Sequence, residues 1–334
     1  MADARMSLLT RWLRQPQQVW LRRAVFQVHL WTGVTLGLYV AVLSLTGSVI
    51  VYRIELDRLT ASPRATLNPQ ADPMTAEQIG AAAQRAYPGW TVTAVHEGQY
   101  QARGGGDGGR RRPRRPPDPT ASVVLERGGQ KLDRLFNPYT GEDLGDDFTR
   151  GQRTVLWLVQ LHDDLLLERQ DGRWWNGVLS LLFTLIVFTG AIVWWPGISR
   201  WKRSLGVRKT SSWRSFNWDL HSALGFWLFL FMAMWGVSGW YLSMPDPLTN
   251  LAERFSDPNG PYGEGPGYTA LEWLTRIHFG RWSRNYPGWG QWLQAAWAAI
   301  GLVPAIMVVT GLIMWWNGVV RRRRASGERA IEAA

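Results

Sequence analysis

Four long stretches without a single Asp, Glu, Lys or Arg constrain this chain more than any other feature. They are residues 24–52, 174–199, 220–245 and 285–320. The shortest has 26 residues, whereas about 20 apolar residues suffice for a helix to cross the hydrocarbon core of a bilayer. The sequence therefore predicts a membrane protein with transmembrane helices at residues 25–52, 174–196, 218–243 and 292–317.

The distribution of positive charge predicts the orientation of these helices. Residues 1–24, 197–217 and 318–334 together carry 16 basic and 3 acidic side chains, whereas residues 53–173 and 244–291 carry 21 basic and 22 acidic ones. By the positive-inside rule the first group is cytoplasmic, so that both termini and the middle loop lie inside the cell. The net charge of +11 then needs no nucleic acid to explain it, and the partner is the lipid bilayer.

Composition excludes several kinds of chemistry. The chain has no Cys, which rules out disulfides, thiolate metal sites, Cys-held iron–sulfur clusters, a Cys nucleophile and covalently attached c-type haem. The first apolar stretch is too long for the apolar part of a signal peptide and is not followed by a cleavage motif, so we expect a retained anchor. Many of the 22 Trp residues fall near predicted span ends, where we expect them to act as interfacial anchors rather than to pack against a cofactor.

Residues 53–173 are long enough for a small α+β domain outside the membrane. Thr75 is a predicted N-cap of a helix that runs to about Tyr87, and short strands are predicted around residues 91–95, 123–125 and 132–136. Residues 104–119 are Gly-rich and then Arg/Pro-rich, which predicts a disordered insertion with a solvated Arg run at 110–115. The G-x-G-x-x-G pattern inside it has neither a strand before it nor a helix after it, which argues against a dinucleotide site.

An internal repeat relates the two halves of the chain. Spans 1 and 3 share a His, a Gly four residues later and a hydroxyl residue followed by Gly near the far end, whereas spans 2 and 4 share Thr-Gly-x-x-x-Trp-Trp. These positions are His29, Gly33 and Thr46-Gly47; His221, Gly225 and Ser238-Gly239; Thr189-Gly190 with Trp194-Trp195; and Thr310-Gly311 with Trp315-Trp316. The fold predicted is a membrane all-α four-helix transmembrane bundle, built from two repeated two-helix hairpins, with the α+β domain inserted in the first.

Four of the five histidines occupy repeat-equivalent positions, and the predicted topology sorts them by depth. His29 and His221 form an inner pair at the cytoplasmic end of the spans, and His162 and His278 form an outer pair at the other face. Two depth-matched pairs are the arrangement that two bis-His haems require. A zinc site would need three or four ligands, and only Asp219 accompanies the inner pair. The alternative is that each His is an interfacial side chain with an ordinary hydrogen-bond partner.

Three further features have simpler interpretations. His96 lies in the α+β domain without a partner and is expected to be structural. The Thr-Gly and Ser-Gly pairs in the spans are typical of helix packing through small residues. Gly33 and Gly225, one turn after their histidines, would leave room for a flat group against the backbone.

Several of these motifs, in this order, resemble the PepSY-associated transmembrane helix family. The likeness runs from about residue 20 to about residue 318. The motifs are His29-Leu-Trp-Thr-Gly, Leu-Thr46-Gly47-Ser, Met74-Thr-Ala-Glu-Gln-Ile to Tyr87-Pro-Gly, Asn137-Pro-Tyr-Thr-Gly-Glu and Thr189-Gly-x-x-x-Trp-Trp. That family has four spans and a periplasmic PepSY domain, and it includes bacterial inner-membrane reductases that release iron from ferric siderophores. The Arg/Pro-rich insertion departs from the family's compact domain.

The resemblance implies a function and a set of ligands. His29 with His221, and His162 with His278, would be the axial iron ligands of two haem b groups. The chain would be a haem-dependent transmembrane oxidoreductase of the bacterial inner membrane. It would pass electrons from a cytoplasmic or quinol donor to a periplasmic ferric siderophore or other iron chelate in iron uptake.

Two other interpretations stay open at this point. A PepSY module could bind or restrain an envelope peptidase, with the spans as a membrane anchor and the histidine pairs as coincidence. A transporter is less favoured, because the spans offer no carboxylate or Lys at midplane depth. A haem absorption band separates the first alternative from the reductase.

Overall fold

The computed structural model describes residues 7–61, 72–97, 120–209, 212–256, 263–280 and 288–320. The insertion predicted at 104–119, with its Arg run, and the tail beyond residue 320 lie outside these residues. The described chain forms two compact units. One is Tyr52–Val159, and the other combines Met1–Val51 with Gln160–Ala334.

Most of the described residues are helical. The α-helices are α1 (Leu8–Arg14), α2 (Trp20–Ile50), α3 (Arg53–Thr60), α4 (Ala76–Ala86), α5 (Arg150–Asp164), α6 (Arg169–Trp194), α7 (Trp213–Trp227), α8 (Phe229–Ser243), α9 (Asp246–Glu253), α10 (Pro266–Phe279), α11 (Gly290–Gly301) and α12 (Val303–Trp315). The strands are β1 (Thr91–Glu97), β2 (Ala121–Arg127), β3 (Gln130–Phe136) and β4 (Asp143–Asp146). Short 3₁₀ turns occupy Pro16–Gln18 and Trp201–Leu205, and Trp316–Val320 is a π-helical turn.

Three helical stretches are long and apolar enough to cross a membrane: Trp20–Ile50, Arg169–Trp194 and Gly290–Gly318. The first two begin about five residues before the predicted spans. They begin early because the first turns of α2 and α6 contain Arg residues, which a helix accommodates readily where it leaves the apolar layer. The charge-free runs therefore located the apolar parts of these helices but not their ends.

The third predicted span differs from the expected straight helix. It consists of α7 and α8, which meet at Leu228 with a bend of 64°. Since the sequence has no Pro there, local chemistry does not explain the bend. Tertiary contacts hold it instead: the Trp227 indole donates to the Leu205 carbonyl at 2.9 Å, and Phe229 packs edge-on against Phe188 with ring centroids 5.5 Å apart.

A smaller break separates α11 from α12 at Leu302. Pro304 has no N–H to donate, so the helical hydrogen-bond ladder is interrupted there. Ser44 of α2 bonds to both sides of the break: its hydroxyl donates to the Gly301 carbonyl at 2.6 Å and accepts from the Ala305 amide at 3.1 Å. A side chain from another helix thus satisfies backbone groups that lipid could not satisfy.

The long helices are arranged so that the first and third spans do not lie side by side. Helix α2 packs against α6 and α12, α7 packs mainly against α12, and α8 packs mainly against α6. Among the described residues, α2 and α7 do not make an extensive contact with each other. These two helices carry His29 and His221, so the space between them is bounded by α6 and α12.

The unit Tyr52–Val159 contains the small antiparallel sheet, with strand order β1-β2-β3-β4. Helix α4 begins where predicted, because Thr75 forms a reciprocal capping box with Gln78. Ile79 from this helix and Val123, Leu125 and Phe136 from the sheet are fully buried and form the core. The sequence predicted the helix and three of these strands; it missed β4, which has only four residues.

A charged network links β3, β4 and the end of α4. Arg134 binds Asp143 through two hydrogen bonds, of 3.1 Å from Nε and 2.7 Å from Nη2, and the Tyr87 hydroxyl donates to the same carboxylate. Burial raises the pKa of Asp143, but the hydrogen bonds from Arg134 and Tyr87 outweigh it and leave the net pKa below its usual range. Burial, assisted by the hydrogen bond to Asp143, raises the pKa of Tyr87 to about 12.

We expect Asp143→Asn to destabilise this unit by roughly 1–3 kcal/mol at pH 7, because it weakens the three hydrogen bonds that Arg134 and Tyr87 donate to a charged acceptor. Since the folded pKa of Asp143 is depressed, the stabilisation is complete above the unfolded value of about 3.9 and is lost as the pH falls through the lower folded value. Hydrogen–deuterium exchange of the β3 and β4 peptides measures the effect. Glu142→Gln, at an exposed neighbour, is the control, and equal exchange in both variants would contradict the prediction.

Candidate functional site

Each of the four repeat histidines bonds through Nδ1 to a side-chain hydroxyl of another helix. The hydroxyls belong to the small-residue motifs that the sequence analysis assigned to helix packing. The pairs are His29 with Thr189 (3.3 Å), His162 with Thr46 (3.0 Å), His221 with Thr310 (2.8 Å) and His278 with Ser238 (2.6 Å). The repeat in sequence is therefore also a repeat of one histidine–hydroxyl contact.

The hydrogen bonds of the hydroxyls determine which imidazole nitrogen carries the proton. A hydroxyl has one proton to donate, and each of these four donates it to the carbonyl one turn earlier in its own helix. The acceptors are Val42 for Thr46, Leu185 for Thr189, Ile306 for Thr310 and Met234 for Ser238, at 2.6–2.9 Å. The hydroxyl must then accept from the histidine, so we assign the proton to Nδ1. The Nε2 lone pair of each imidazole is left available.

Glycine beside the hydroxyl makes room for the imidazole ring. A Cβ atom at Gly47 would lie 2.9 Å from Cε1 of His162, and a Cβ atom at Gly190 would lie 3.0 Å from Cε1 of His29. A side chain at Gly47 would force the ring to shift, and one at Gly190 would crowd it. Gly311 also lies near His221, but a Cβ atom there would make an ordinary contact with Cε1, at 3.5 Å. Two of the predicted helix-packing glycines, Gly47 and Gly190, therefore lie tightly against a histidine.

His29 lies in the first third of α2, and His221 lies in the middle of α7, the helix that follows residues 197–212. His29 of α2 contacts α6, and its Nδ1 also lies 3.1 Å from the Ile186 carbonyl. His221 of α7 contacts α12. The helices that carry these two histidines do not pack extensively against each other.

The hydroxyls that bond the outer pair lie farther along the spans, away from the inner pair. Thr46, which holds His162, comes 17 residues after His29 in α2, or about 26 Å along the axis at 1.5 Å per residue. Ser238, which holds His278, lies in α8 beyond the bend. His162 and His278 are carried by α5 and α10, the helices that precede α6 and α11 in the chain.

Two residues that position His162, Asn176 and Tyr39, were missed in the sequence. Buried Asn176 donates to the carbonyls of His162 and Asp163 at 2.9 and 3.0 Å, and it accepts from the Tyr39 hydroxyl at 2.6 Å. This chain of bonds fixes the end of α5 to α2 and α6. The available signal was an Asn inside an apolar run, where an unpaired amide is costly.

The other candidate ligands have ordinary surroundings. Asp219 is bound by Arg208 through Nε at 2.7 Å and Nη2 at 2.9 Å, so its carboxylate is already paired. His96 is exposed on β1 and lies opposite Ser122 in the strand register.

The Trp residues divide into two groups. Trp174, Trp175, Trp292 and Trp316 are about half exposed or more, which suits the interfacial anchors predicted from sequence. Trp194 and Trp315 differ, because the indole N–H of each is buried. They are the first members of the two Trp-Trp pairs.

The comparison with known families decides the class of the chain. Residues 26–268 and 259–317 match the family described as PepSY-associated TM region. The chain belongs to this family. Its three long apolar helices and the bent α7–α8 pair are those of a multi-pass membrane protein, as predicted. None of the curated proteins compared with this PepSY-associated chain matches it.

The four histidines of this PepSY-associated protein offer a donor set that would fit haem b. Nδ1 of each imidazole is bonded to a hydroxyl, which orients the ring and, with the proton assigned to Nδ1, would raise the basicity of Nε2 toward a metal. Without Cys, a haem would be held by non-covalent contacts alone. Helices α2 and α7, which carry the inner histidines, each pack against α6 and α12.

An open groove of about 530 Å³ lies where α6 begins and α8 ends. Its lining includes Arg169 and Arg173, with Asp246 as the one acidic member. It belongs to the same end of the helices as the outer pair, because Asn176, one turn after Arg173, is bonded to the backbone of His162. The groove is thus an open, net positive surface beside the outer pair.

Proposed function

We propose that this protein is a dihaem transmembrane electron-transfer protein of the bacterial inner membrane that reduces a periplasmic ferric chelate of the siderophore class. The observation that carries the proposal is the fourfold histidine–hydroxyl contact. Four interfacial side chains placed independently have no reason to share one nitrogen, one kind of acceptor and one tautomer. Two ligands at each end of the helices are what two six-coordinate haems require.

The roles of the protein's own residues follow from this arrangement. His29 with His221, and His162 with His278, would supply Nε2 to the iron of one haem b each. Filling both axial positions leaves a haem suited to electron transfer rather than to O₂ activation. Thr189, Thr46, Thr310 and Ser238 hold the rings in position, and Gly190 and Gly47 allow the rings to approach the neighbouring helix.

The direction of electron flow rests on the proposed topology. The excess of Lys and Arg in residues 1–24, 197–217 and 318–334 supports a cytoplasmic position for both termini. A cytoplasmic or quinol donor would then meet the inner pair first. The groove lined by Arg169 and Arg173 supports docking of an anionic ferric chelate beside the outer pair, since clefts of one charge concentrate ligands of the opposite charge.

Purification gives the first test of this function. We expect a coloured protein with a haem Soret band and two haem b per chain, all extractable with acid acetone because no Cys tethers them. Pyridine haemochrome analysis measures the stoichiometry. One haem in a fully loaded preparation would refute the two-site arrangement, and a colourless protein would favour the peptidase-binding alternative.

The hydroxyl partners give a second test. Thr310→Val keeps the side-chain shape but removes the acceptor of His221 Nδ1. Loss of such a partner costs about 10–100-fold in metal-group affinity, and the less basic imidazole should raise the midpoint potential of one haem. Redox titration measures the shift. Thr184→Val is the matched control, because the Thr184 hydroxyl also bonds its own helix, to the Ser180 carbonyl. Identical titrations of the two variants would contradict the assigned tautomer.

A further inference from the structure

Three N–H donors near the inner pair are buried and have no hydrogen-bond partner in the part of the chain that the structure describes. They are Nε of Arg22 and the indole Nε1 of Trp194 and Trp315. A buried donor without an acceptor costs free energy comparable to a lost hydrogen bond, so such groups are few in native proteins. Three at one end of the helices call for an acceptor.

The two indole donors lie on the same helix faces as the glycines that adjoin His29 and His221. Trp194 follows Gly190 by four residues, and Trp315 follows Gly311 by four. Residues four apart share a helix face, so each indole lies one turn from the glycine that adjoins His29 or His221, on the side of the chain termini. The two positions are equivalent in the repeat.

Arg22 joins the same group from α2. It precedes His29 by seven residues, which places it on the same face two turns toward the N-terminus. Its Nη2 donates to the Val193 carbonyl at 2.6 Å, which fixes the guanidinium beside Trp194. The Trp194 ring in turn stacks on Phe226 of α7, with ring centroids 4.4 Å apart.

The second Trp of each pair behaves differently. Trp195 donates its indole N–H to the Trp12 carbonyl at 3.2 Å, and Trp316 is 49% exposed. The buried donors are therefore specific to the first position of each pair, which an interfacial anchoring role for all four would not require.

We propose that Arg22, Trp194 and Trp315 bind the propionate carboxylates of the haem held by His29 and His221. This inference rests on the proposed function. Carboxylates accept hydrogen bonds without donating any, and their bonds to cationic and N–H donors are strong ones. The two propionates are the only anionic groups at the edge of a b-type porphyrin. The three donors would direct that edge toward the chain termini and set the rotation of the porphyrin between the two histidines.

The test measures how fast this haem leaves the protein. His278→Ala provides a background that keeps only the inner haem, and excess apomyoglobin captures the haem that is released. In this background Trp194→Phe and Trp315→Phe should each speed release roughly tenfold, the effect of one hydrogen bond to a charged acceptor. Trp316→Phe, at the exposed neighbour, should release haem at the background rate.

The propionates themselves are tested by reconstitution with iron protoporphyrin IX dimethyl ester, which has no carboxylate. The protein with all three donors should release the ester faster than the free acid, and Trp194→Phe should not speed release of the ester further. Arg22→Gln should lower the midpoint potential of the inner haem, because a nearby positive charge favours the reduced iron. The ester arm does not depend on the variants folding as well as the parent protein.

The outcomes separate this inference from the proposed function. A wild-type protein without a Soret band refutes both. If haem binds but Trp194→Phe and Trp316→Phe release it equally fast, or the ester leaves as slowly as the free acid, the propionate assignment is wrong and the dihaem function stands. In that case the donors bind another anionic oxygen, such as a lipid phosphate, and the release rate should then depend on the phospholipid present rather than on the porphyrin carboxylates.

Discussion

His278→Ala should lower the haem content from two to one per chain and abolish reduction of an added ferric chelate by the native donor. His278 supplies one axial ligand of the outer haem in the proposed arrangement, and its Nδ1 is held by Ser238 at 2.6 Å. The remaining haem should still be reduced by the donor, because the inner pair is intact. Absorption spectra and chelate reduction in membrane vesicles measure the two effects separately.

His221→Ala should give the converse result. One haem again remains, now at the outer pair, and dithionite reduces it, whereas the native donor no longer does. His96→Ala, at the exposed histidine of β1, is the matched control and should keep both haems. All three variants should insert into the membrane, since one His contributes little to the hydrophobicity of a span. Two haems with unchanged spectra in His278→Ala and His221→Ala would refute the ligand assignment and the reductase function with it.

Gly190→Leu should remove one haem although it replaces none of the four histidines. The added side chain begins with a Cβ atom 3.0 Å from Cε1 of His29, which is a tight contact, and its three further carbon atoms add to the crowding, so we expect the imidazole to be displaced from α6. The Nδ1 bond to Thr189 would then be lost. Haem content and the low-spin spectrum of the inner haem measure the loss.

Ala191→Leu is the control for this substitution. It adds the same bulk at the next residue of α6, whose side chain is exposed, so it should keep both haems and an unchanged spectrum. If Gly190→Leu also keeps both haems, then haem binding does not require His29 to lie against Gly190 of α6. Glycine at that position would then serve helix packing alone, as the sequence first suggested.

The bend in the third span is a feature that the hydropathy pattern of a sequence cannot predict. Apolar length predicted a helix at 218–243, but the helix axis turns by 64° at Leu228, where neither Pro nor Gly marks a break. The cause is the packing of α7 and α8 against different neighbours, α12 and α6. Hydropathy measures transfer into lipid and contains no information about which neighbour a helix meets.

The Thr-Gly and Ser-Gly motifs show the same limit at the site. Small residues in membrane helices usually permit close helix packing, and Gly47 and Gly190 each lie against the imidazole of another helix. The spacing between His29 and Thr46 was visible in the sequence. That Thr46 bonds to His162, 116 residues later, was not.

The sequence by itself determined that the chain enters a membrane, where its apolar helices lie, which histidines are equivalent and how the small sheet domain begins. These follow from local quantities: charge-free length, residue spacing and capping chemistry. The tertiary structure decided which helix holds each histidine, which imidazole nitrogen keeps the proton and which indoles are buried without an acceptor. Those properties depend on contacts between residues far apart in the chain, and such contacts form only when the helices pack.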